Sequence, residues 1–210
     1  MAEIAQSLAA RGCLRCPLAF KLHALATGQA DKLQSGVYEI SPAMSAPQII
    51  RMLAEGRQVT VSVTVPEGFT IAQIAPRLVE VGLADEQQCR AAATAQAVEE
   101  TLKVKLSDGV RSAEGYLFPE TYSFTLGTTA DQIVGRMVEE FETRFVKGPW
   151  QTVPAAARWG NLHEIVTLAS LVEKEARLDT ERALIAGVLR NRLKRSMRLE
   201  CDATVLYALG

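Results

Sequence analysis

One short segment of alternating residues separates two parts of the chain that are otherwise helical in pattern. In QVTVSVTV (58–65), valine occupies every second position, and threonine or serine lies between the valines. Because successive side chains of a β-strand point to opposite faces, this alternation predicts a strand with one buried face and one solvated face. Few strands among many short helices are typical of the α+β class, which is the fold class that we predict.

A repeated helical pattern flanks this strand. Residues 2–14 and 72–84 share the pattern A-x-I-A-x-x-L-x-x-x-G, and the two copies reach Gly12 and Gly82. Glycine commonly follows the last turn of a helix because it adopts a left-handed backbone conformation without strain. We therefore predict two short helices that end at these glycines.

Capping patterns and periodicity predict the remaining elements. Ser45 with Gln48, and Thr129 with Gln132, match the capping box that begins a helix. The predicted helices cover residues 17–27, 45–53, 86–104 and 129–145, GVYEI (36–40) is predicted to be a second strand, and residues 150–160 are predicted to form a loop.

The segment EIVTLASLVEKEARLDTE (164–181) carries the candidate for acid–base chemistry. Projected as an α-helix, Leu168 and Val172 lie on one apolar stripe, and Glu175 projects into the same stripe. A carboxyl group on a buried face has a raised pKa, which suits a general acid near neutral pH. The alternative is a helix-end glutamate that reaches solvent or pairs with Arg177 or Arg182, and the spacing alone does not decide between them.

The next helix is predicted to bury its own apolar stripe. Its members recur at helical spacing and are Leu184, Ile185, Val188, Leu189 and Leu193. Arginine and lysine residues cluster near its end, where cations suit the helix dipole, and we interpret them as a solvated helix terminus. This basic cluster comprises Arg190, Arg192, Lys194, Arg195 and Arg198.

Charge and cysteine content exclude several classes of function. The formal net charge is -1, so no overall basic field attracts nucleic acid. Four cysteines are too few for a disulfide scaffold in a chain of 210 residues. Cys13 and Cys16 form a C-x-x-C pair, but no second pair stands at zinc spacing. We expect neither a metal nor a cofactor.

The chain shows no segment that would hold it in a membrane. No apolar run approaches the ~20 residues of a membrane-spanning helix, and no signal peptide follows Met1. The chain begins directly in a helical pattern and stops at Gly210 without a closing element. We therefore expect a fragment that lacks both ends, for which the missing anchor is weak evidence about location.

Aromatic and acidic residues are concentrated in EGYLFPETYSF (114–124). Pro119 prevents a helix there, and Gly115 permits an unusual backbone angle. Aromatic rings and carboxylates together on a non-helical segment suit a sugar-binding surface, because rings stack on sugar faces and carboxylates accept hydroxyl protons. The alternative is a hydrophobic plug between subdomains, with Glu114 and Glu120 exposed.

Three stretches together resemble the endolytic murein transglycosylases of the MltG (YceG-like) type. They read VPEGFTIAQIAPRL, EGYLFPETYSF and LASLVEKEARLDTERALIAGVLRNRLKRSMRLECDATVLYALG. The third is the most specific, because V-E-K-E, E-R, N-R-L, M-R-L and D-x-T-V-x-Y follow one another at the family's spacing. The resemblance implies a small LysM-like N-terminal subdomain (1–58) followed by a mixed, helix-rich catalytic domain (59–210).

The resemblance also implies a reaction. Glu175, the second glutamate of E-K-E, would be the catalytic acid/base that cleaves the MurNAc–GlcNAc β-1,4 bond within glycan strands. Its carboxyl would protonate the glycosidic oxygen, and its carboxylate would then take the C6 hydroxyl proton of MurNAc as that oxygen attacks C1 and forms a 1,6-anhydro end. The candidate substrate-binding residues are Glu114, Tyr116, Tyr122, Asn191, Asp202 and Thr204.

Partners and location follow from the resemblance alone. The implied partners are peptidoglycan glycan strands and peptidoglycan synthases. The implied location is the bacterial inner membrane, with a single membrane span that is absent from this chain and a catalytic part that faces the periplasm.

The chain departs from the family pattern near the candidate acid. Ala176 stands where the family usually has threonine, and residues 200–204 read E-C-D-A-T where it commonly has Gln-Thr/Ser-Asp-Pro-Thr. A non-catalytic peptidoglycan-binding or scaffolding module is therefore the alternative. A pyridoxal-phosphate lyase ranks last, because Lys174 projects away from the apolar stripe and no glycine-rich phosphate loop is present.

Overall fold

A computed structural model describes residues 1–154 and 158–209, and its described part is a helix-rich α+β structure. Residues 155–157 of the predicted loop, and Gly210, lie outside the described residues. The strands are β1 (Thr60–Thr64) and β2 (Thr121–Thr125). The helices are α1 (Ala2–Ala10), α2 (Pro17–Ala26), α3 (Ala46–Ala54), α4 (Ile71–Glu80), α5 (Glu86–Ala92), α6 (Ala95–Leu102), α7 (Ala130–Phe141), α8 (Leu162–Glu175), α9 (Arg182–Lys194) and α10 (Asp202–Leu209). The predicted α+β class is confirmed.

The chain divides into two compact units. Unit 1 comprises Met1–Ser62 and Ser123–Thr128, and unit 2 comprises Val63–Tyr122 and Thr129–Gly210. Both strands therefore begin in one unit and end in the other. The division of the chain at residue 58 into a LysM-like and a catalytic domain stays a prediction.

The two strands pair in antiparallel fashion. The Val65 N–H donates to the Glu120 carbonyl at 3.0 Å, and the Leu126 N–H donates to the Val59 carbonyl at 2.9 Å. Residue numbers thus fall along one strand as they rise along the other. The predicted alternation of β1 is confirmed, since Val63 is buried and the threonine and serine positions are exposed.

The predicted strand at residues 36–40 is wrong, because this segment has an irregular backbone. The Val37 carbonyl accepts the Val59 N–H at 2.9 Å, but one such bond does not make a ladder. The Gln58 side chain lies against Gly36, where an added Cβ would come within 2.3 Å of it. Gln58 also donates to the Ser35 carbonyl at 3.2 Å, so a side chain holds this segment in place of backbone pairing.

The two repeated helices end as predicted. Gly12 has φ +72° and Gly82 has φ +73°, which places both in the left-handed region. After α4, the Leu83 N–H donates to the Leu78 carbonyl at 3.0 Å, five residues back, as in the Schellman motif. These bonds satisfy carbonyls that the helix end leaves without a partner.

Each unit has its own core. In unit 1, α2 and α3 bury Phe20, Ile49 and Ile50 completely. In unit 2, one buried cluster includes Tyr116 and residues of α6 and α7. A second, smaller cluster of unit 2 consists of Leu168, Val172, Leu189 and Cys201.

The prediction of a buried stripe along α9 is wrong. Leu189 alone of the predicted stripe is buried, whereas Leu184 is 72% exposed and Val188 is 46% exposed. In unit 2, α9 packs on α8 through the small Leu189 cluster, which is too narrow to cover a full stripe. None of the helices in the described part of the chain is both long and apolar enough to span a bilayer.

Candidate functional site

Reciprocal hydrogen bonds cap the start of α8, the helix that carries Glu175. The Asn161 side chain accepts the Glu164 N–H at 3.0 Å, and the Glu164 carboxylate accepts the Asn161 N–H at 2.8 Å. The helix ends at Glu175, because the backbone of Ala176 is extended with φ -77° and ψ 125°. Glu175 is thus the last residue of the helix.

Glu175 is exposed, so the prediction that it continues the buried stripe of α8 is wrong. Leu168 and Val172 are buried on that stripe, but the helix stops before another packed turn covers Glu175. The structure instead shows the alternative from the sequence, a helix-end carboxylate that reaches solvent.

Cys201, the buried residue that precedes α10, packs with Leu168 and Val172 of α8. Burial raises the pKa of the Cys201 thiol, and the negative charges of Glu175 and Asp202 raise it as well, against the opposing charge of Arg192. Cys201 is therefore a neutral thiol at neutral pH and not a nucleophilic thiolate. This packing brings α10 close to α8.

Asp202 and Thr204 lie at the start of α10, as the sequence predicted. Both are exposed, and the Thr204 hydroxyl donates to the Cys201 carbonyl at 2.7 Å. Asn191 is exposed on α9. These three side chains can therefore reach a ligand in solvent.

The VPEGFT loop before α4 meets the end of α8. The Lys174 Nζ donates to the Gly68 carbonyl at 2.9 Å. Gly68 has φ +72°, and a Cβ there would lie 3.4 Å from both Lys174 Nζ and Glu173 Oε1. Lys174 thus holds this loop next to Glu175, the candidate acid. The helical projection placed Lys174 on the polar side of the helix and did not reveal this role.

Replacing Lys174 with methionine should loosen this loop, because the variant loses the bond to Gly68 and keeps the aliphatic stem. One hydrogen bond is worth about 1 kcal/mol, so amide exchange in the loop should quicken up to about 10-fold. Hydrogen-exchange mass spectrometry of residues 66–70 measures the change. Lys194→Met, at the exposed end of α9, is the matched control, and unchanged exchange in Lys174→Met would contradict the contact.

Glu114 joins the aromatic segment to two helices. Its carboxylate oxygens lie 3.2 and 3.3 Å from the N–H of Ile71, the first residue of α4. Tyr207, on α10, is 60% exposed and interacts with the same carboxylate. Burial raises the pKa of Glu114, and the interactions with Ile71 and Tyr207 oppose that rise.

The two candidate tyrosines are buried. Tyr116 has no exposed surface, its hydroxyl lies 3.0 Å from His163 Nδ1, and its ring meets the Phe141 ring edge-on at 5.3 Å. The Tyr122 hydroxyl donates to the Phe118 carbonyl, and burial raises its pKa. Side chains so enclosed have no face to stack on a sugar, which favours a packing role for both.

Replacing Tyr116 with phenylalanine should change stability in two ways. At neutral pH the variant loses the bond to His163, at a cost of about 1 kcal/mol. Burial raises the Tyr116 pKa from 10.0 to about 12, so the wild type loses stability as pH rises from 10 to 12, and the variant should lose less. Urea unfolding across that range, followed by tryptophan fluorescence, measures both; parallel curves for the two proteins would contradict the assignment.

The structure thus brings three separated sequence blocks together within unit 2. The VPEGFT loop meets the end of α8 through Lys174, and the EGY segment meets the start of α4 through Glu114. Cys201, just before α10, packs on α8. Sequence reasoning missed Tyr207 as a contact residue, although it is the last letter of the D-x-T-V-x-Y motif. In the described residues, no group of three or more His, Cys, Asp or Glu side chains is arranged to hold a metal.

Comparisons with known proteins identify relatives of this chain. The model of the YceG-like family matches residues 1–210. The endolytic murein transglycosylase of Streptococcus pneumoniae serotype 2 (strain D39) is 32% identical over 230 residues, which cover 99% of this chain and 41% of that protein. That of Bacillus subtilis (strain 168) is 30% identical over 224 residues, which cover 100% of this chain and 61% of that protein. The chain therefore spans about two to three fifths of these relatives.

A solved structure shares the fold. The crystal structure of a yceG-like protein from Listeria monocytogenes matches with a TM-score of 0.59 and 31% sequence identity. The match covers 100% of this chain and 72% of that one. The sequence, the fold and the family model agree, and the chain belongs to the YceG-like family.

Proposed function

We propose that this chain is a peptidoglycan lytic transglycosylase that cleaves the MurNAc–GlcNAc β-1,4 bond within glycan strands and leaves 1,6-anhydro-MurNAc ends. The observation that carries this proposal is the position of Glu175. It is an exposed carboxylate at the end of α8, the helix on which Cys201 packs just before α10. It also follows Lys174, which bonds to the VPEGFT loop. The relatives named endolytic murein transglycosylase support the same reaction.

One carboxyl group suffices for this reaction because the nucleophile is part of the substrate. Glu175 gives its proton to the glycosidic oxygen as the bond from C1 of MurNAc to that oxygen breaks. GlcNAc leaves with a free C4 hydroxyl. The Glu175 carboxylate takes the C6 hydroxyl proton as the C6 oxygen bonds to C1, so Glu175 ends protonated, as it began. Two-carboxylate glycosidases instead activate water or form a covalent intermediate.

The exposed candidates form the proposed binding surface. Asn191, Asp202 and Thr204 offer amide, carboxylate and hydroxyl groups to sugar hydroxyls. Ala176 is the residue after the acid, at a position where the family usually has a hydroxyl group. Its methyl group offers the substrate no hydrogen bond. This departure, together with a site on an open surface, favours a peptidoglycan-binding or scaffolding module as the second candidate.

Other features of the proposed function are supported by the family resemblance alone. Residues 1–58 form a LysM-like region. The catalytic part works on the periplasmic face of the bacterial inner membrane, and its partners include peptidoglycan synthases.

Digestion of purified peptidoglycan by this chain tests the proposal. Mass spectrometry of the products, before and after borohydride reduction, separates anhydro ends, which do not take up hydride, from reducing ends, which do. Anhydro ends are the expected result. Reducing ends would show a hydrolase and overturn the one-carboxylate mechanism. A chain that sediments with peptidoglycan and releases nothing would be the binding module.

A further inference from the structure

The turn between α9 and α10 contains no glycine, although its backbone enters the left-handed region twice. It reads RSMRLEC (195–201), and Ser196 has φ +54° and Glu200 has φ +51°. A residue with a Cβ is strained in this region, so contacts from the surrounding structure must hold it there. The shape of this turn therefore depends on the contacts that it makes.

One residue, Arg192 in the last turn of α9, contacts both halves of this turn. Its carbonyl accepts the Met197 N–H at 2.9 Å. Its Nη1 donates to the Leu199 carbonyl at 2.7 Å and to the Glu200 carboxylate at 2.9 Å. The Arg198 carbonyl lies 3.4 Å from the same nitrogen. The backbone and the side chain of Arg192 thus tie the turn to the end of α9.

The bond from Arg192 to the Leu199 carbonyl is the more important of the two short side-chain bonds. The Glu200 side chain is 70% exposed, whereas that of Arg192 is 30% exposed, and an ion pair so open to water contributes little to stability. The Leu199 side chain, by contrast, packs against the small cluster that includes Leu189. Arg192 therefore holds the backbone at a point that the core also holds.

The turn ends where two residues of the proposed binding surface begin. The Cys201 carbonyl accepts the Thr204 hydroxyl at 2.7 Å and the Thr204 N–H at 3.1 Å. Asp202 lies between them in sequence and is the first residue of α10. A shift of the backbone at Leu199 would therefore be passed on to the start of α10.

We infer that Arg192 is a positioning residue, which fixes the turn before α10 and so sets where Asp202 and Thr204 lie on the proposed binding surface. This inference rests on the proposed function of that surface. Arg192 handles no proton of the reaction and acts through the hydrogen bonds that it donates to the turn.

Two substitutions of Arg192 and one control separate the effects of its bonds and its charge. Arg192→Met keeps an aliphatic stem and removes every donor. Arg192→Lys keeps the charge, but a compact ammonium does not reproduce the planar fork of a guanidinium. A positioning role therefore predicts that lysine restores part of what methionine removes. Arg190→Met is the control, because Arg190 is exposed on the same helix and carries the same charge.

The first test measures the turn without any enzyme activity, by hydrogen-exchange mass spectrometry of residues 196–204. This segment includes the bonded N–H groups of Ser196, Met197 and Thr204. Arg192→Met should speed their exchange roughly 5- to 30-fold, as the loss of bonds from a charged donor implies. Arg192→Lys should have a smaller effect and Arg190→Met none. Exchange in α7, elsewhere in unit 2, should not change in any variant.

The second test measures the release of anhydro ends as a function of the concentration of solubilised glycan strands. Arg192→Met should raise the half-saturating concentration several-fold and leave the maximal rate close to that of the wild type, because the binding surface is displaced while the acid is unchanged. Arg192→Lys should fall between the two. If the wild type releases no anhydro ends, the proposed function fails, while sedimentation of the same strands with each variant still measures the binding surface.

Four results would overturn the inference. The first is unchanged exchange of residues 196–204 in Arg192→Met. The second is an equal rise in these residues and in α7, which would mean general unfolding. The third is a loosened turn with unchanged strand binding, which would make Arg192 a residue of the fold alone. The fourth is a lower maximal rate with the turn still protected, which would make Arg192 a catalytic group.

Discussion

Replacing Glu175 with glutamine should lower the release of anhydro-MurNAc ends by about 10²–10⁴-fold, the range that general acid–base catalysis supplies. Glutamine keeps nearly the size and hydrogen-bonding capacity of glutamate but has no proton to give to the glycosidic oxygen. Because Glu175 is exposed at the end of α8, the substitution disturbs no buried contact. The fold should therefore survive while the reaction stops.

Glu173→Gln is the matched control for this experiment. Glu173 lies two residues earlier in the same helix, is also exposed, and is the first glutamate of the E-K-E triplet. The same chemical change at this position should leave product release close to that of the wild type. If Glu175→Gln retained activity, or if both variants lost it equally, Glu175 would not be the acid/base.

Gly115→Ala should destabilise unit 2 by roughly 2–5 kcal/mol, from two costs that add. Gly115 has φ +83°, in the left-handed region that costs a residue with a Cβ about 1–2 kcal/mol. The new Cβ would also lie 2.8 Å from Val166 Cγ1 on α8, and overpacking of this kind costs about 1–3 kcal/mol. Both costs fall on the segment that carries Glu114 and Tyr116.

Urea unfolding followed by tryptophan fluorescence measures this loss in the correct unit, because Trp150 and Trp159 both belong to unit 2. Gly109→Ala is the control. Gly109 has φ +95° with nothing within 4 Å of an added Cβ, so that variant has the backbone strain without the clash. If the two variants lost equal stability, the contact between Gly115 and Val166 would contribute nothing.

Local sequence signals predicted the parts of the fold that local physics decides. The Ser45–Gln48 and Thr129–Gln132 pairs form capping boxes as predicted, because the bonding groups lie three residues apart in sequence. Gly82 ends its helix for a similar reason, since its left-handed φ is a property of one residue. Such features need no knowledge of the rest of the chain.

Burial was predicted less well, because it depends on what packs against a stripe. Glu175 projects into the same direction as Leu168, yet it is exposed because α8 ends there. Leu184 has the spacing of a core residue and is exposed on α9. Periodicity shows which residues share a face, and tertiary packing alone decides which part of that face is covered.

The sequence indicated a candidate acid but not the contacts around its helix. Glu175 came from the helical projection and from the family resemblance, and it lies exposed at the end of α8. The contact of Lys174 with Gly68 joins residues 106 positions apart, and that of Glu114 with Ile71 joins residues 43 positions apart. One sequence carries no spacing rule for such pairs.

The path of the two strands has a consequence for how the chain folds during synthesis. Unit 1 includes Ser123–Thr128, whose pairing partners lie at the end of Met1–Ser62. The ribosome makes residues 63–122 between these two pieces, which takes roughly 3–12 s at about 5–20 residues per second. Unit 1 is therefore completed only after about two fifths of unit 2 has been made, and its strand edge stays unpaired in that interval.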